Sequence, residues 1–297
     1  MFQTEEQEYL SHYSIADFER PSLATDIAIF SIQEEQDREN FRKLSKMELK
    51  ILLIQRDVFP YKSCWALPGG FCVPGEDVAE TARRELFEET NVNSAYLQLD
   101  GVYGEMGRDP RGWIISNAFL ALIDGTQQHI HGGSDAWEAR WFNITLEQRE
   151  VHRQIEEARI FIETENQMNF WCEETDLSFS TIVREYKVFE KYHESVKYEI
   201  VENGQLAFDH AKIILSAFLS LRKKAEADDR ILFDLMPEFF TLTQLQTVFE
   251  IVLDRKLITP NFRRKILPYV TETDRMVEGE GHRPAKLFQR NLGMFYR

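Results

Sequence analysis

The sequence predicts a mixed α+β protein: a strand-rich first domain around one long helix, a largely β insertion, and a C-terminal module of helices closed by a hairpin. Three observations predict it. β-Branched apolar runs of strand length recur through the first half of the chain. DVAETARRELFEET between them carries helical spacing, and the last stretch of chain reads helix, helix, helix, hairpin. At 297 residues the chain exceeds the usual size of one domain. The expected division is 1–224, with the insertion at about 145–204, and 225–297.

The elements follow in chain order. Residues 1–23 read as a polar leader ending at Pro21. TDIAIFSI (25–32) and LKILLIQRD (49–57) are apolar and β-branched, as strands require. The charged QEEQDRENFRKLSKME between them reads as a long exposed hairpin loop. Pro68-Gly69-Gly70 is a strong turn signal. In DVAETARRELFEET, Val78, Ala82 and Leu86 share one helical face, and Asp77 stands at the N-cap position. YLQLDGVYGE, GWIISNAFLALI and EARWFNI are three further strands, the first two joined by GRDPRG.

From Leu146 the chain changes character. LEQREVHRQIEEA reads as a short helical run, and the alternating segments RIFIETE, NFWCEE, STIVREYKVFE and VKYEIVE read as strands. LAFDHAKIILSAFLSLRKK (206–224) is an amphipathic helix, with Asp209 as its expected N-cap. Thr241 and Gln244 form a capping-box pattern opening LTQLQTVFEIVLD. Pro260, after Thr259, sits at the first helical position of NFRRKILPYV. TETDRMVEGEGHRPAKLFQRN reads as two strands joined by a Gly-containing tip.

The formal net charge of −15 disfavours non-specific attraction to nucleic acid or to an anionic membrane. That average hides a split, because residues 255–297 hold ten Lys/Arg against four Asp/Glu, a local balance of +6. The asymmetry points to a basic tail with a polyanionic partner. Cys64, Cys72 and Cys172 have no disulfide or metal-ligand spacing, as expected for reduced thiols in a cytoplasmic protein. MFQTEEQEYL has no apolar core like a secretory signal, and no apolar run approaches the ~18 residues that span a bilayer.

The chemistry concentrates in GFCVPGEDVAETARRELFEETNV. Gly70 is followed after five residues by Glu76, and after seven more by Arg84-Glu85-Leu86-Phe87-Glu88-Glu89, with apolar Val92 beyond. Glu85, Glu88 and Glu89 stand at i, i+3 and i+4, neighbouring positions on a helix. Their repulsion raises carboxylate pKa values, and a hard divalent cation relieves it. The pattern resembles the Nudix box, departing only at Asn91, where the family usually has glycine. Asn is the next most tolerant residue for the left-handed helix end that glycine provides.

The resemblance implies an α/β/α sandwich and water attack on a diphosphate. Glu85 and Glu89 would be principal metal ligands with Glu88 and Gly70 assisting, Arg84 would orient the carboxylates, and the backbone of Gly69 and Gly70 would approach the diphosphate. Magnesium is the implied ion, manganese the substitute. Asp135 and Glu138 are the downstream candidates for a base.

PYKSCWALPGGF, YGEMGRDPRGWIISNAFLALI, DAWEARWF and LAFDH resemble the ADP-ribose-type branch and its relatives, the Nudix-related transcriptional regulators. In that resemblance the WF strand runs almost directly into the LAFDH helix, so residues 145–203 fall outside the pattern. Arg108 and Arg111 are candidates for phosphate or ribose contact. The C-terminal module resembles a winged helix-turn-helix, whose second helix enters the major groove. Asn261, Arg263, Arg264 and Lys265 would face DNA, with His282, Arg283 and Lys286 in the wing. Two functions are therefore expected. The first is a magnesium-dependent hydrolase of an ADP-ribose-like nucleoside diphosphate. The second is a homodimeric regulator that binds operator DNA and senses such a ligand.

Overall fold

A computed structural model describes residues 2–35, 46–92, 95–126, 136–277 and 285–295. One large mixed sheet organises it, in the order β10-β9-β8-β7-β2-β1-β6-β5. The first six strands are β1 (Ser22–Glu35), β2 (Lys46–Arg56), β3 (Trp65–Ala66), β4 (Gly69–Phe71), β5 (Tyr96–Tyr103) and β6 (Ile114–Asp124). Short β3 pairs with β2 and β4 with β1, while β1 and β6 run parallel from Ser22↔Ile114 to Ile32↔Asp124.

The near-continuous apolar runs of β1, β2 and β6 are explained by cover on both faces. Alternate residues point opposite ways. Ile27, Ile29, Leu52, Phe119, Ala121 and Ile123 meet Ala82 and Leu86 of helix α2 (Val78–Thr90). Ala28, Phe30, Ile51, Leu53, Leu120 and Leu122 belong to the opposite core, under helix α3 (His210–Ala227).

The leader contains structure: helix α1 spans Phe2–His12, a 3-10 turn spans Ile15–Asp17, and both are exposed. A second correction concerns LEQREVHRQIEEA. It is the far half of β7 (Ala136–Glu156), a 21-residue strand that begins beside β2 and continues beside β8 (Arg159–Cys172). Charged residues at i,i+3 and i,i+4 spacing mimic a solvated helix there. The ladder from Asn143↔Trp171 to Glu156↔Arg159 overrides that local preference. β9 (Leu177–Glu190) and β10 (His193–Glu202) extend the same sheet, so the predicted strand segments are present, RIFIETE and NFWCEE within the single strand β8, and the helix is not.

LAFD approaches α3 as a bend, with Leu206 bridged to Trp65, and the helix itself starts at His210. The C-terminal module contains α4 (Leu242–Leu253), α5 (Thr259–Ile266), the hairpin β11 (Val270–Val277) and β12 (Ala285–Arg290), and the short α6 (Leu292–Phe295). Thr241 and Gln244 form the expected capping box. Pro260 occupies the second helical position, because the helix opens at Thr259. The wing tip, with His282 and Arg283, lies outside the described residues. The two halves share one core: Leu221 and Ala225 of α3 join Phe233, Phe240, Phe249 and Phe262. Among the described residues no helix is long and apolar enough to cross a membrane.

Candidate functional site

The acidic loop and α2 are built around Arg84. Asp77 accepts from the Glu80 N–H and Glu80 accepts from the Asp77 N–H, which fixes the helix start. Arg84 then donates through Nε to Glu76 (3.0 Å) and through one terminal nitrogen to Glu85 (2.8 Å) and Glu88 (3.2 Å). The Arg84 hydrogen bond holds Glu76 below the usual carboxylate range. Burial pushes Glu85 the other way, against the pull of Arg84. Asn91 ends the helix at φ 56°, the left-handed conformation expected of the residue standing for glycine.

The three glutamates do not behave alike. Glu85 and Glu89 are buried on the inner face, whereas the Glu88 side chain is 51% exposed and turned to Arg84. A Cβ at Gly70 would meet the Glu85 carboxylate, so a larger residue there would push that carboxylate away from the strand backbone. Among the described residues no three acidic, His or Cys side chains form a closed cage. The buried Glu85 carboxylate against the Gly70 backbone, with buried Glu89 one turn along α2, nevertheless fits a hard divalent cation. Such an ion takes one or two carboxylates and completes its shell from phosphate and water.

A cavity of about 130 Å³ opens beside this loop, lined by Asp26, Gly69, Gly70, Phe71, Arg111 and Phe208 among others. A buried charged cluster forms part of its wall. Arg108 donates to both Asp209 oxygens (2.9 and 2.7 Å) and lies 3.7 Å from Asp26. The Leu67 N–H donates to His210 Nδ1 at 2.9 Å, so Nε2 carries the proton, 3.5 Å from Asp26. Burial pushes the His210 pKa down and keeps the ring neutral.

Asp209 thus occupies the N-cap position of α3 without capping it; its carboxylate holds Arg108 instead. The expected N-cap role is corrected accordingly. Of the two candidate arginines, Arg108 is buried within ion pairs, whereas Arg111 presents a 40% exposed side chain to the cavity. Asp109 holds Arg111 in a forked pair, and its guanidinium lies over Phe71 (5.1 Å) and Phe208 (5.2 Å). Glu138 pairs with Arg140 on β7 and lines neither this cavity nor the larger one beside it, while Asp135 lies outside the described residues. Asp26, Phe208 and His210 were not singled out from sequence for the cavity, although LAFDH contains two of them.

In the C-terminal module Phe262 and Ile266 point inward, Phe262 edge-on to Phe249 at 5.2 Å. Asn261, Arg263, Arg264 and Lys265 are left on the exposed face of α5. The turn before α5 is tied by Glu250, which accepts from Leu257 N–H (3.0 Å), Lys256 Nζ (2.8 Å) and Gln246 (2.9 Å). The Lys256 hydrogen bond leads in holding the Glu250 pKa down to about 2. In the hairpin Lys286 pairs closely with Glu272.

Residues 42–161 match the NUDIX domain and residues 232–289 match the NrtR DNA-binding winged helix domain. The chain is 32% identical over 291 residues to a protein of Acinetobacter baylyi named ADPR responsive transcriptional repressor NtrR, covering 96% of this chain and 88% of that one. It is 45% identical over 95 residues to an ADP-ribose pyrophosphatase of Methanocaldococcus jannaschii, covering 32% of this chain and 55% of that one. Among solved structures, a MutT/nudix family protein from Enterococcus faecalis matches 97% of this chain and 98% of its own, with 26% identity and a TM-score of 0.61. NrtR from Shewanella oneidensis shares the fold over 91% of this chain and 94% of its own, with a TM-score of 0.57 and 24% identity.

Proposed function

The chain belongs to the Nudix family, in the form that ends in an NrtR DNA-binding winged helix domain, and on that premise we propose that it is a DNA-binding regulator whose Nudix cavity senses an ADP-ribose-like nucleoside diphosphate. One observation carries the reading. Helix α3 places Asp209 and His210 at the ligand cavity and, about three and four turns on, buries Leu221 and Ala225 in the core of the winged helix. A ligand that changes the Arg108–Asp209 pairing therefore acts on the element that carries the DNA-reading helix. Differential affinity for two arrangements of α3 is what converts binding into release or capture of DNA.

The recognition surface is Asn261, Arg263, Arg264 and Lys265, joined by Arg283 of the wing, and the DNA is a palindromic operator read by a homodimer. Fluorescence anisotropy on such DNA is the test. Arg263→Ala with Arg264→Ala abolishes salt-sensitive binding, and ADP-ribose shifts the wild-type affinity. A folded protein whose DNA affinity ignores ADP-ribose sinks the proposal.

Hydrolysis is the second reading, favoured by the intact set of Glu85, Glu89 and Gly70. Bound magnesium, or manganese, would supply charge neutralisation on the diphosphate and an activated water. Glu85, Glu89 and the Gly70 backbone would hold it, Arg84 fixes the Glu85 carboxylate, and Arg111 and Gly69 face the phosphates. Chromatography of ADP-ribose after incubation decides this: AMP and ribose 5-phosphate appear with wild type and not with Glu89→Gln. Intact ADP-ribose in both sinks the hydrolase reading and leaves the sensor standing.

A further inference from the structure

A groove of about 360 Å³ runs between the C-terminal end of α3 and the helices α4 and α5. Its floor is apolar, with Leu253, Leu257 and the 68% exposed Ile258, and its rim carries Arg255, Lys256 and Lys265. Among its described lining residues Glu226 alone is acidic. DNA phosphates would use such a rim but would leave the floor in water. Apolar positions flanked by cations suit a polypeptide that combines hydrophobic anchors with carboxylates.

The leader has that composition. From Thr4 to Arg20 every residue is exposed, and Tyr9, Leu10, Tyr13, Ile15 and Phe18 present 47–64% of their surface to solvent. Glu5, Glu6, Glu8, Asp17 and Glu19 stand against Arg20 alone, a balance of −4 with His12 neutral. On α1, Glu5 and Glu6 lie one turn before Tyr9 and Leu10, so carboxylates and anchors share a face. Tyr13 lies 5.8 Å from Tyr9 and 5.7 Å from Phe18, which gathers the rings into one apolar strip. A solvated helix of 11 residues is marginal in water, and an exposed apolar strip of this kind marks a contact surface.

The leader cannot seat in the groove of its own chain as it stands. It enters β1 at Ser22, whose N–H donates to Trp113 O at 3.0 Å, next to Ile114 in the wall of the first cavity. His210 lines that same cavity and opens α3, whereas Ala225 and Glu226, near the other end of α3, line the groove. Eighteen helical residues separate the two ends by about 27 Å.

We propose that the leader of a second copy of this chain docks in the α3–α4–α5 groove and excludes DNA from α5. Asn261 and Lys265 belong both to the groove and to the face assigned to DNA, so the two occupants compete for them. The acidic charge of the leader meets the basic rim, and its apolar strip covers the floor. The exclusion rests on the reading of α5 as the DNA-reading helix; the docking does not.

Fluorescence anisotropy tests it with a labelled peptide of residues 2–20. The partner is the full chain carrying Tyr9→Ser and Leu10→Ser, so that its own leader does not compete. The peptide is expected to bind, and to bind at least about tenfold more weakly when Ile258→Glu or Arg255→Glu is added. Both positions are exposed, so neither change enters the core. Mixed-sequence duplex DNA at low salt is expected to displace the peptide. Conversely, Tyr9→Ser with Leu10→Ser is expected to tighten duplex binding about threefold or more, because a larger fraction of chains is then open to DNA. A peptide that does not bind, or that ignores both groove variants, overturns the docking. Peptide that DNA does not displace, with duplex affinity unmoved by the leader variant, overturns the exclusion. Duplex bound by neither chain overturns the DNA-reading role of α5 instead, and the docking then stands or falls on the groove variants.

Discussion

Arg108 shows how much one side chain organises here. Its guanidinium is 5% exposed and faces two carboxylates, Asp209 and Asp26. Arg108→Met leaves both acids without their cation, and removing one partner of a buried pair costs about 3–5 kcal/mol. Urea unfolding should register that loss, whereas Arg111→Met, at the exposed position, should cost far less. His210 makes a second prediction. Its folded pKa lies below the ordinary 6.5 because the ring is buried, so on acidification the unfolded chain takes up a proton first. Its contribution to stability is complete above that value and declines as pH falls below it. Melting temperature followed from pH 7.5 to 5 should fall less steeply in His210→Gln than in wild type. Sequence spacing identified Glu76, Arg84, Glu85 and Gly70 because a helix and a turn are local objects. Asp26, Arg108 and Asp209 meet only because β1, a loop and α3 fold together, and no local pattern announces such a meeting.

At the scale of elements, the strongest forecasts were those with a chemical signature at both ends. Helix α2 has its capping box at Asp77 and its left-handed stop at Asn91, and α4 has Thr241 with Gln244. Strand β7 had no such punctuation. Its outer half is exposed and charged, and it is strand only because β8 offers a ladder, which a reading of single segments does not include. The α4–α5 turn was visible only in outline, and Glu250 explains its geometry. Glu250→Ala removes three hydrogen bonds to a charged acceptor, so the winged helix should lose about 2 kcal/mol. Hydrogen exchange at Leu257 should accelerate in that variant, and unchanged protection there would contradict the role assigned to Glu250. The acid dependence has a defined sign. Glu250 is depressed to about 2 from 4.5, so its stabilisation is present above 4.5 and fades as pH drops toward 2.

For the whole molecule, the shared core matters more than the boundary read from sequence. Phe30 of the sheet meets Phe218 of α3 at 6.0 Å, and Phe233 meets both Phe240 and Phe249. Calorimetry should therefore show one unfolding transition for the chain, and two separated transitions would mean that the halves melt independently. The charge split, by contrast, was fully legible, since a local balance of +6 needs no fold to be counted. The 21 residues of β7 carry a different lesson. Side chains alternate along its buried stretch from Phe142 to Leu146, so losing a single residue there would exchange inside for outside, whereas farther out Val151 is already an extra residue between Glu150↔Thr164 and His152↔Glu163. Changes of chain length can be absorbed at the hairpin turns, where Glu157, Asp176 and Lys191 already adopt left-handed backbone, and at the bulge of β7, but not along its buried stretch. The buried part of the strand is thus a reading frame for the sheet, and tolerance to insertion or deletion should map to the tips of the fold and the bulge and vanish between Phe142 and Leu146.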